Sequence, residues 1–392
     1  MKEVENMPQK LSAITYIKNN KRRVAVLIGS LSLCVVLFYV SQFVLASTTE
    51  TFGSILVENT EKIQYIQLPG YAFGLDFEAL GEEKFSYQYQ QKHLELKEEL
   101  KKVRGVKQVY FSQVNYIEIL GAVGQYYLEL PMVPEENVDE LIEHFNATLV
   151  EGNLPKQDNE IVLDEKSMKN GGYKIGDALR DYPKTKIVGI LNCDYYFGCG
   201  VISAKNATNE RIIVLSDGSV SDVTKLLHDM GYEFDEEDAY IMDKKEGKKN
   251  LKKDIIDAIS TSTNIIYLGI IFILSISLLV VYITYLRDRR NEWCLYCSIG
   301  YARKSIYFAV VRELLFTFLA SVLIGGVLSA ILVFILDYGM LQPLGLMCQY
   351  FYPENIFKIL VVFALILGIL QVPIRFELYK IKTIDAIDDD LN

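Results

Sequence analysis

VAVLIGSLSLCVVLFYVSQFVLA, residues 24–46, contains no charged side chain. As a helix rising 1.5 Å per residue, ~23 residues reach across the roughly 30 Å of a bilayer's hydrocarbon core. Residues 265–286 and 314–336 are two further uncharged blocks of similar length. A fourth, 356–372, carries only Lys358 near its start, where the amine can snorkel to the interface. Hydrophobic residues make up 51% of the 392, and they gather in these blocks instead of spreading through the chain. The length would allow two or three soluble domains; the clustering excludes a purely soluble chain and predicts four transmembrane helices. The first block is about twice the apolar length of a cleaved leader and follows a 23-residue basic segment, so it reads as a retained anchor.

Basic residues set the orientation. Lys18, Lys21, Arg22 and Arg23 abut the first block; Arg287, Arg289, Arg290, Arg303 and Lys304 lie between the second and third; Arg375, Lys380 and Lys382 follow the fourth. The positive-inside rule places all three segments in the cytoplasm, and four crossings then put both termini there. The expected division is a cytoplasmic amphipathic N-terminal segment 1–23, spans 24–46, 264–286, 306–336 and 356–374, an extracytoplasmic domain 47–263, a cytoplasmic coupling loop 287–305, an outer loop 337–355, and a cytoplasmic tail 375–392. Within the first segment Leu11, Ile14 and Ile17 stand at helical spacing among basic residues, the pattern of a helix lying on the inner membrane surface. A multi-pass protein of the cell membrane is implied.

The outer segment carries roughly fourteen more carboxylates than basic side chains; a solvated acidic surface is the ordinary reason for such an excess. It reads as mixed α and β. Residues 89–103 form a Glu- and Lys-rich helix stopped by Gly105, residues 107–120 are β-rich, and 135–145 is a helix led by Pro134. Short strands at 160–163 and 186–191 flank the glycine-punctuated GGYKIGD turn, 171–177; a strand at 211–215 precedes a helix at 221–230 ended by Gly231. This order implies an α+β domain in two lobes. From Lys244 to Ser262 Leu251, Ile255, Ile256 and Ile259 keep helical spacing, and neither glycine nor proline interrupts the path from Lys248 into the second span. A continuous stalk helix, 244–263, is expected, able to carry a displacement toward the membrane.

Cys193 and Cys199 are separated by five residues in NCDYYFGCG and could close a disulfide in an oxidising compartment. Tyr195, Tyr196 and Phe197 between them are a candidate outer contact for substrate or partner. Cys348 has no evident partner. Cys294 and Cys297 form a CxxC, but no second pair or nearby histidine completes a zinc set, and two small apolar residues on a helix are the better account. His93, His144 and His228 read as surface histidines on helices, and no GxSxG nucleophile turn appears, so an anchored enzyme has no machinery here.

RDRRNEWCLYCSIGYARKSIYFAVVRELL, 287–315, alternates charge and apolar residues at helical spacing and breaks at Gly300. A helix, a glycine break and a second helix entering the membrane follow. The run resembles the signature of FtsX/MacB-like permeases, the type VII ABC-transporter family. Arg289 and Glu292 match its R-x-x-E opening, Ser298, Ile299 and Gly300 its small-x-Gly step, 303–306 the R-x-x-I group, and Glu313 the acid heading the next span. SVLIGGVLS, 321–329, is similar to its glycine-rich span. YIKNNKRR, 16–23, resembles the amphipathic N-terminal helix; LVEGNLPKQDNEIVLDEKSMKNGGYKIG, 149–176, the MacB-type outer domain; and Pro373 with KIKTIDAI, 380–387, the C-terminal ending. Ser298 stands for the usual alanine, Thr383 for the usual proline, and one residue is inserted after Pro373.

The resemblance implies a permease subunit whose outer domain is MacB-like, with Arg289, Arg290, Glu292, Gly300, Arg303 and Glu313 coupling it to a separate ABC ATPase. No stretch reads GxxxxGK[ST], so ATP and magnesium belong to that partner and this chain needs no cofactor or metal of its own. A second permease, in a homodimer or heterodimer, is implied as well. Such proteins transmit motion mechanically to the outside, and the spans hold almost no charge that would mark a polar path. The implied substrate is a peptide, lipoprotein or hydrophobic compound; the alternative is an FtsX-like regulator of a cell-wall hydrolase, whose outer domain is typically smaller. An extracytoplasmic peptide or protein and the lipid bilayer complete the expected partners, and no nucleic acid is among them. Ser321, Gly325 and Ser329 recur every four residues, a small-xxx-small face for close helix packing within the chain or across a dimer, as do Ala364 and Gly368. Arg312 and Glu313 at the membrane edge read as a structural pair.

Overall fold

The computed structural model describes residues 20–203, 211–253, 282–348 and 353–380, with Ile17, Ile276, Val280 and Tyr350. The amphipathic segment expected over 8–20 lies almost wholly outside them, as do the stalk past residue 253, most of the second apolar block, and the tail after Lys380. Two compact units result: 1–43, 262–335 and 350–392 make one, and 44–261 with 336–349 the other.

The first unit is helical. α1, Lys21–Gly53, contains no proline and no charge between Arg23 and Glu50, so its backbone amides can be satisfied within the helix across that stretch. Residues 282–288 are helical; α7, Arg290–Ser298, α8, Arg303–Leu336, and α9, Pro353–Lys380, follow. Each contributes an apolar stripe at helical spacing: Leu27, Leu31 and Val35 from α1, Ile306, Val310, Leu314 and Phe318 from α8, Leu370, Ile374 and Leu378 from α9. That stripe explains why α9 runs on past Pro373 to Lys380, where the sequence predicts a tail from 375: Ile374 and Leu378 are buried in the core beyond the proline. Ser321, Gly325 and Ser329 are buried, the first two against α1 in the same chain. Ser32 Oγ donates to Ser321 O at 3.1 Å, and a Cβ on Gly325 would lie 2.7 Å from Val35 Cβ. The small residues therefore serve packing within the chain, whereas Ala364 and Gly368 remain exposed. The outer face of α8, Leu319, Leu323, Val327 and Phe334 among it, is exposed and apolar, a surface suited to hydrocarbon. Among the described residues two helices, Lys21–Lys62 and Arg303–Leu341, are long and apolar enough to cross a membrane.

The second unit is α+β and holds two sheets. α1 is followed by a π-helical stretch, Ser54–Glu58, and a last turn, Asn59–Lys62, that leads into β1, Ile63–Gln67. The other strands are β2 (Val106–Phe111), β3 (Gln113–Leu120), β4 (Gln125–Val133), β5 (Thr148–Gly152), β6 (Glu160–Asp164), β7 (Lys186–Asn192), β8 (Gly198–Val201), β9 (Ile212–Ser216) and β10 (Tyr240–Met242). An antiparallel sheet has the order β10-β1-β9-β2, and a mixed sheet β3-β4-β8-β6-β7-β5. α2, Glu82–Leu100, and α5, Val223–Asp229, cover the first through Leu96, Leu100, Val223 and Leu227. α3, Val138–His144, packs in the cluster shared by both sheets, and α4, Glu165–Gly171, lies on the second, capped by Asp164. The α+β class agrees with the sequence reading, and α2, α3, α5, β2, β3, β6, β7 and β9 overlap the helices and strands expected there, α2 beginning seven residues earlier. Gly231, left-handed at φ 93°, does stop its helix, whereas α2 already ends at Leu100 and Gly105, φ 91°, lies in the turn before β2.

The expected outer loop is not a free one. Residues 336–349 are part of this unit: Tyr196 Oη donates to Gly345 O at 2.7 Å, Asn170 Nδ2 to Leu344 O at 2.9 Å, and Ser47 Oγ to Met347 O at 2.8 Å. Gly345 is left-handed, and a Cβ there would meet Lys166 O at 2.3 Å. Cys348, partnerless by sequence, donates to Asp337 Oδ1 at 2.8 Å; burial and that carboxylate push its thiol up to about 12.

Where the stalk is expected to begin lies α6, Lys244–Asn250, with residues 251–253 continuing it as a π-helical turn. Buried Asp243 caps two helices at once, accepting from Glu246 N at 2.8 Å and from Val223 N of α5 at 2.5 Å. Gly247 lies against the π-helical stretch so closely that a Cβ would stand 1.5 Å from Leu56 O. Gly247→Val should therefore cost about 1–3 kcal/mol, read as a lowered thermal midpoint of the purified chain. Gly326→Ala, at a site with nothing within 4 Å, should not lower it. Equal midpoints for Gly247→Val and the unaltered chain would contradict this packing.

Candidate functional site

α7 begins where the sequence places its R-x-x-E motif, and three buried groups fix it. Arg289 Nη1 donates to Glu313 Oε2 of α8 at 2.7 Å and to Tyr285 Oη at 3.2 Å, while Nε reaches Glu292 Oε2 at 3.4 Å. Tyr285 Oη donates to the other oxygen of Glu313. Arg289 and Glu313 are each 4% exposed. The guanidinium also lies over the rings of Tyr285 and Trp293, 5.5 and 5.7 Å from their centroids. Two charges so far from water are tolerable only when paired and hydrogen-bonded, as both are. Glu313 thus pairs with Arg289 and not with its sequence neighbour: Arg312 is exposed and its Nε donates to Phe308 O at 3.3 Å. The expected Arg312–Glu313 pair is corrected accordingly, and successive residues on a helix do not face each other.

The far end of α7 is shaped by Gly300. Its N–H donates to Cys297 O at 3.1 Å, and Tyr301 N–H to Tyr296 O at 3.0 Å. With Gly300 at φ 101° this is a Schellman turn, closed by the rings of Tyr296 and Tyr301, whose centroids are 5.8 Å apart. A side chain at 300 would strain the left-handed backbone. Beyond the turn, Arg303 opens α8 on the exposed side, and Arg290 is half-buried at the start of α7. Trp293 and Cys294 point into the bundle core, which gives the CxxC its structural role. The opposite face presents Leu295, 59% exposed, and Ile299, 70% exposed, at the tip of the hairpin. An apolar pair on a rigid, solvent-facing turn is a docking surface in form. Residues 264–385, which contain this hairpin, match the FtsX-like permease C-terminal domain.

That match spans just under a third of the chain. No curated protein sequence matches the chain. Among solved structures, the periplasmic region of MacB from Actinobacillus actinomycetemcomitans is similar at 14% identity and a TM-score of 0.27, over 52% of this chain and 97% of that one. The extracellular domain of the noncanonic ABC-type transporter YknZ from Gram-positive bacteria is similar at 15% identity and a TM-score of 0.25, over 46% and 100%. Of the residues singled out in the permease domain, Arg289, Glu292 and Glu313 meet in one network, and Gly300 shapes the turn. Tyr285 and Trp293 were missed as members of the network. Trp293 is the chain's one tryptophan, the only signal the sequence offered for it.

The outer candidates fare differently. Tyr196 and Phe197 are 0% and 2% exposed, so the YYF triple is not an outer contact; only Tyr195 reaches the surface in part. Phe197 stacks on Phe145 with centroids 4.0 Å apart, and its N–H donates to Asp164 at 2.9 Å. Cys193 and Cys199 are separate buried thiols. The sheet order explains why: β6 lies between β7, which Cys193 follows, and β8, which holds Cys199. Two strand spacings of ~4.8 Å exceed the reach of a disulfide. His93 is not a surface residue either; it is buried beside Phe73 and Tyr89, with Nδ1 against Tyr89 O at 3.0 Å.

Removing one member of the buried pair, by Arg289→Ala or Glu313→Gln, should cost about 3–5 kcal/mol. The double variant Arg289→Met/Glu313→Leu should recover most of that loss in thermal unfolding. If the single and double variants melt alike, the pair does not fix the hairpin.

Proposed function

We propose that the chain is the permease subunit of an ATP-driven ABC exporter or extractor, working by mechanotransmission. In this reading it crosses the cell membrane four times, at 24–46, 264–286, 306–336 and 356–374, with both termini in the cytoplasm and 47–263 outside. ATP and magnesium are held by a separate ABC ATPase, and a second permease, identical or related, completes the assembly. The substrate is a peptide, lipoprotein or hydrophobic compound.

The observation that carries the proposal is the α7 hairpin. Leu295 and Ile299 stand exposed on a turn that the Schellman bonds and the Arg289–Glu313 pair hold rigid. A groove on the ATPase gains apolar burial there without ordering a flexible loop, so little of the binding energy is lost to entropy. Closure of the ATPases around nucleotide would move α7, and with it Glu313 on α8 and the bundle core that α8 shares with α1. α1 is part of one helix that runs unbroken from Lys21 to Lys62, and the turn Asn59–Lys62 leads into β1 of the outer domain. Motion therefore has a helical path outward while cargo stays outside the bilayer. A charged pair wholly used in packing also agrees with a bundle that offers no polar conduit.

Leu295→Glu combined with Ile299→Glu should abolish copurification of the ATPase that accompanies the unaltered chain and reduce its stimulated hydrolysis at least tenfold. Both positions are on the surface, so thermal stability should stay within about 0.5 kcal/mol. Retention of the ATPase by the double variant would refute docking at this hairpin.

A further inference from the structure

α8 holds a single acid, Glu313, and the buried pair with Arg289 takes it up. Arg312, its neighbour in sequence, is left with an uncompensated charge at the surface. Its Nε donates to Phe308 O at 3.3 Å, and its two terminal nitrogens have no partner among the described residues. That bond turns the guanidinium toward the start of α8, the direction in which helical side chains lean. Lys304, about two turns earlier, is exposed as well and meets no carboxylate among the described residues.

The strip on the other side of Arg312 is apolar and bare. Leu315, Leu319, Leu323 and Val327 follow at steps of four, the last three 60%, 71% and 63% exposed, and so share one face of the helix. From Leu315 to Val327 α8 rises about 18 Å, a little more than the ~15 Å of hydrocarbon in one leaflet. Phe308, half-exposed, lies on the same face between the two cations. The order along the helix is therefore apolar strip, arginine, aromatic ring, lysine. A molecule that matches it has a long hydrocarbon chain followed by an anion. A second copy of this chain matches it poorly. Ser321 and Gly325, the residues suited to close helix approach, already face α1. Two helices meeting along this strip about an axis normal to the membrane would also set Arg312 against its own copy.

We propose that this face of α8 binds one anionic phospholipid. Its phosphate oxygens accept from Nη1 and Nη2 of Arg312, Lys304 faces the outer part of the headgroup, and an acyl chain lies along Leu315 to Val327. The planar fork of arginine matches a phosphate through two parallel hydrogen bonds, whereas lysine acts as a point charge. A zwitterionic lipid offers the same phosphate but brings a cation of its own, which Lys304 repels. The site rests on the reading of 306–336 as a membrane span. Arg312 adjoins Glu313, so the lipid is bound beside the ion pair that fixes α7.

The test is native mass spectrometry of the full chain, without ATPase, released from nanodiscs that hold phosphatidylglycerol and phosphatidylcholine in equal amounts with the same acyl chains. One phosphatidylglycerol retained per chain, in preference to phosphatidylcholine, is expected. A cation near an anionic lipid surface is worth roughly fivefold, so Arg312→Gln should lower the preference by about that factor. Arg312→Lys, which keeps the charge and loses the fork, should lower it less. Arg22→Gln, at an exposed position on the first turn of α1, should leave it unchanged. Equal retention of the two lipids would overturn the proposal, as would displacement of the lipid by inorganic phosphate. A loss from Arg22→Gln as large as that from Arg312→Gln would show diffuse surface attraction and overturn it too. So would a dimer that Leu319→Trp abolishes while Arg312→Gln leaves lipid retention untouched, which assigns the strip to a second copy. Retention of both lipids without preference sinks this proposal alone; retention of neither sinks the membrane-spanning reading with it.

Discussion

An arginine and a glutamate buried side by side, Arg289 and Glu313, constrain the bundle more than any apolar contact in it. Apolar side chains tolerate sliding, because one methyl replaces another at little cost. A desolvated ion pair does not, since each charge needs its partner at hydrogen-bond distance. The pair ties the start of α7 to α8 about three turns into that helix, and Tyr285 adds the helix before α7 to the same network. The hairpin tip inherits that rigidity. A surface held so firmly can transmit a push; a loop tethered only by its ends would absorb it.

The outer domain is built on comparable economy. One carboxylate, Asp243, caps both α5 and α6, and one glycine, Gly247, lets α6 lie against the π-helical stretch after α1. Asp164 caps α4 while accepting from Phe197, so the loop between β7 and β8 is anchored to the second sheet. The stretch after α8 is bound into the same unit through Tyr196, Asn170 and Ser47. Three separate segments of the chain thus converge on one lobe, and the YYF triple serves their junction instead of a partner's surface.

What the sequence disclosed follows from the range of the interactions involved. Apolar blocks, the charges flanking them, glycine stops and alternating strands are local patterns, and the helices and strands they predict overlap observed ones. The small-residue stripe of α8 was legible too, though only the structure shows that Ser32 and Val35 cover it. The failures are contacts between distant residues. Glu313 could be paired with Arg312 by proximity in sequence, but a helix turns consecutive residues apart. Cys193 and Cys199 looked joinable until the insertion of β6 between their strands was known. Aromatic residues in a glycine-bounded loop look exposed, and nothing local reveals that Phe145 or the segment after α8 waits to cover them. Glu129 had no motif at all; its partners, Tyr240 of β10 and Arg211 before β9, are distant in sequence.

The most direct measurement of the account's central claim is photo-cross-linking from the hairpin tip. A benzophenone amino acid placed at Leu295 in the full chain, in native membranes, should yield an adduct whose mass spectrum identifies a P-loop ATPase, and the yield should change with nucleotide. Adducts confined to lipid, or to a protein outside the cytoplasm, would contradict the assignment of α7 as the element through which force enters.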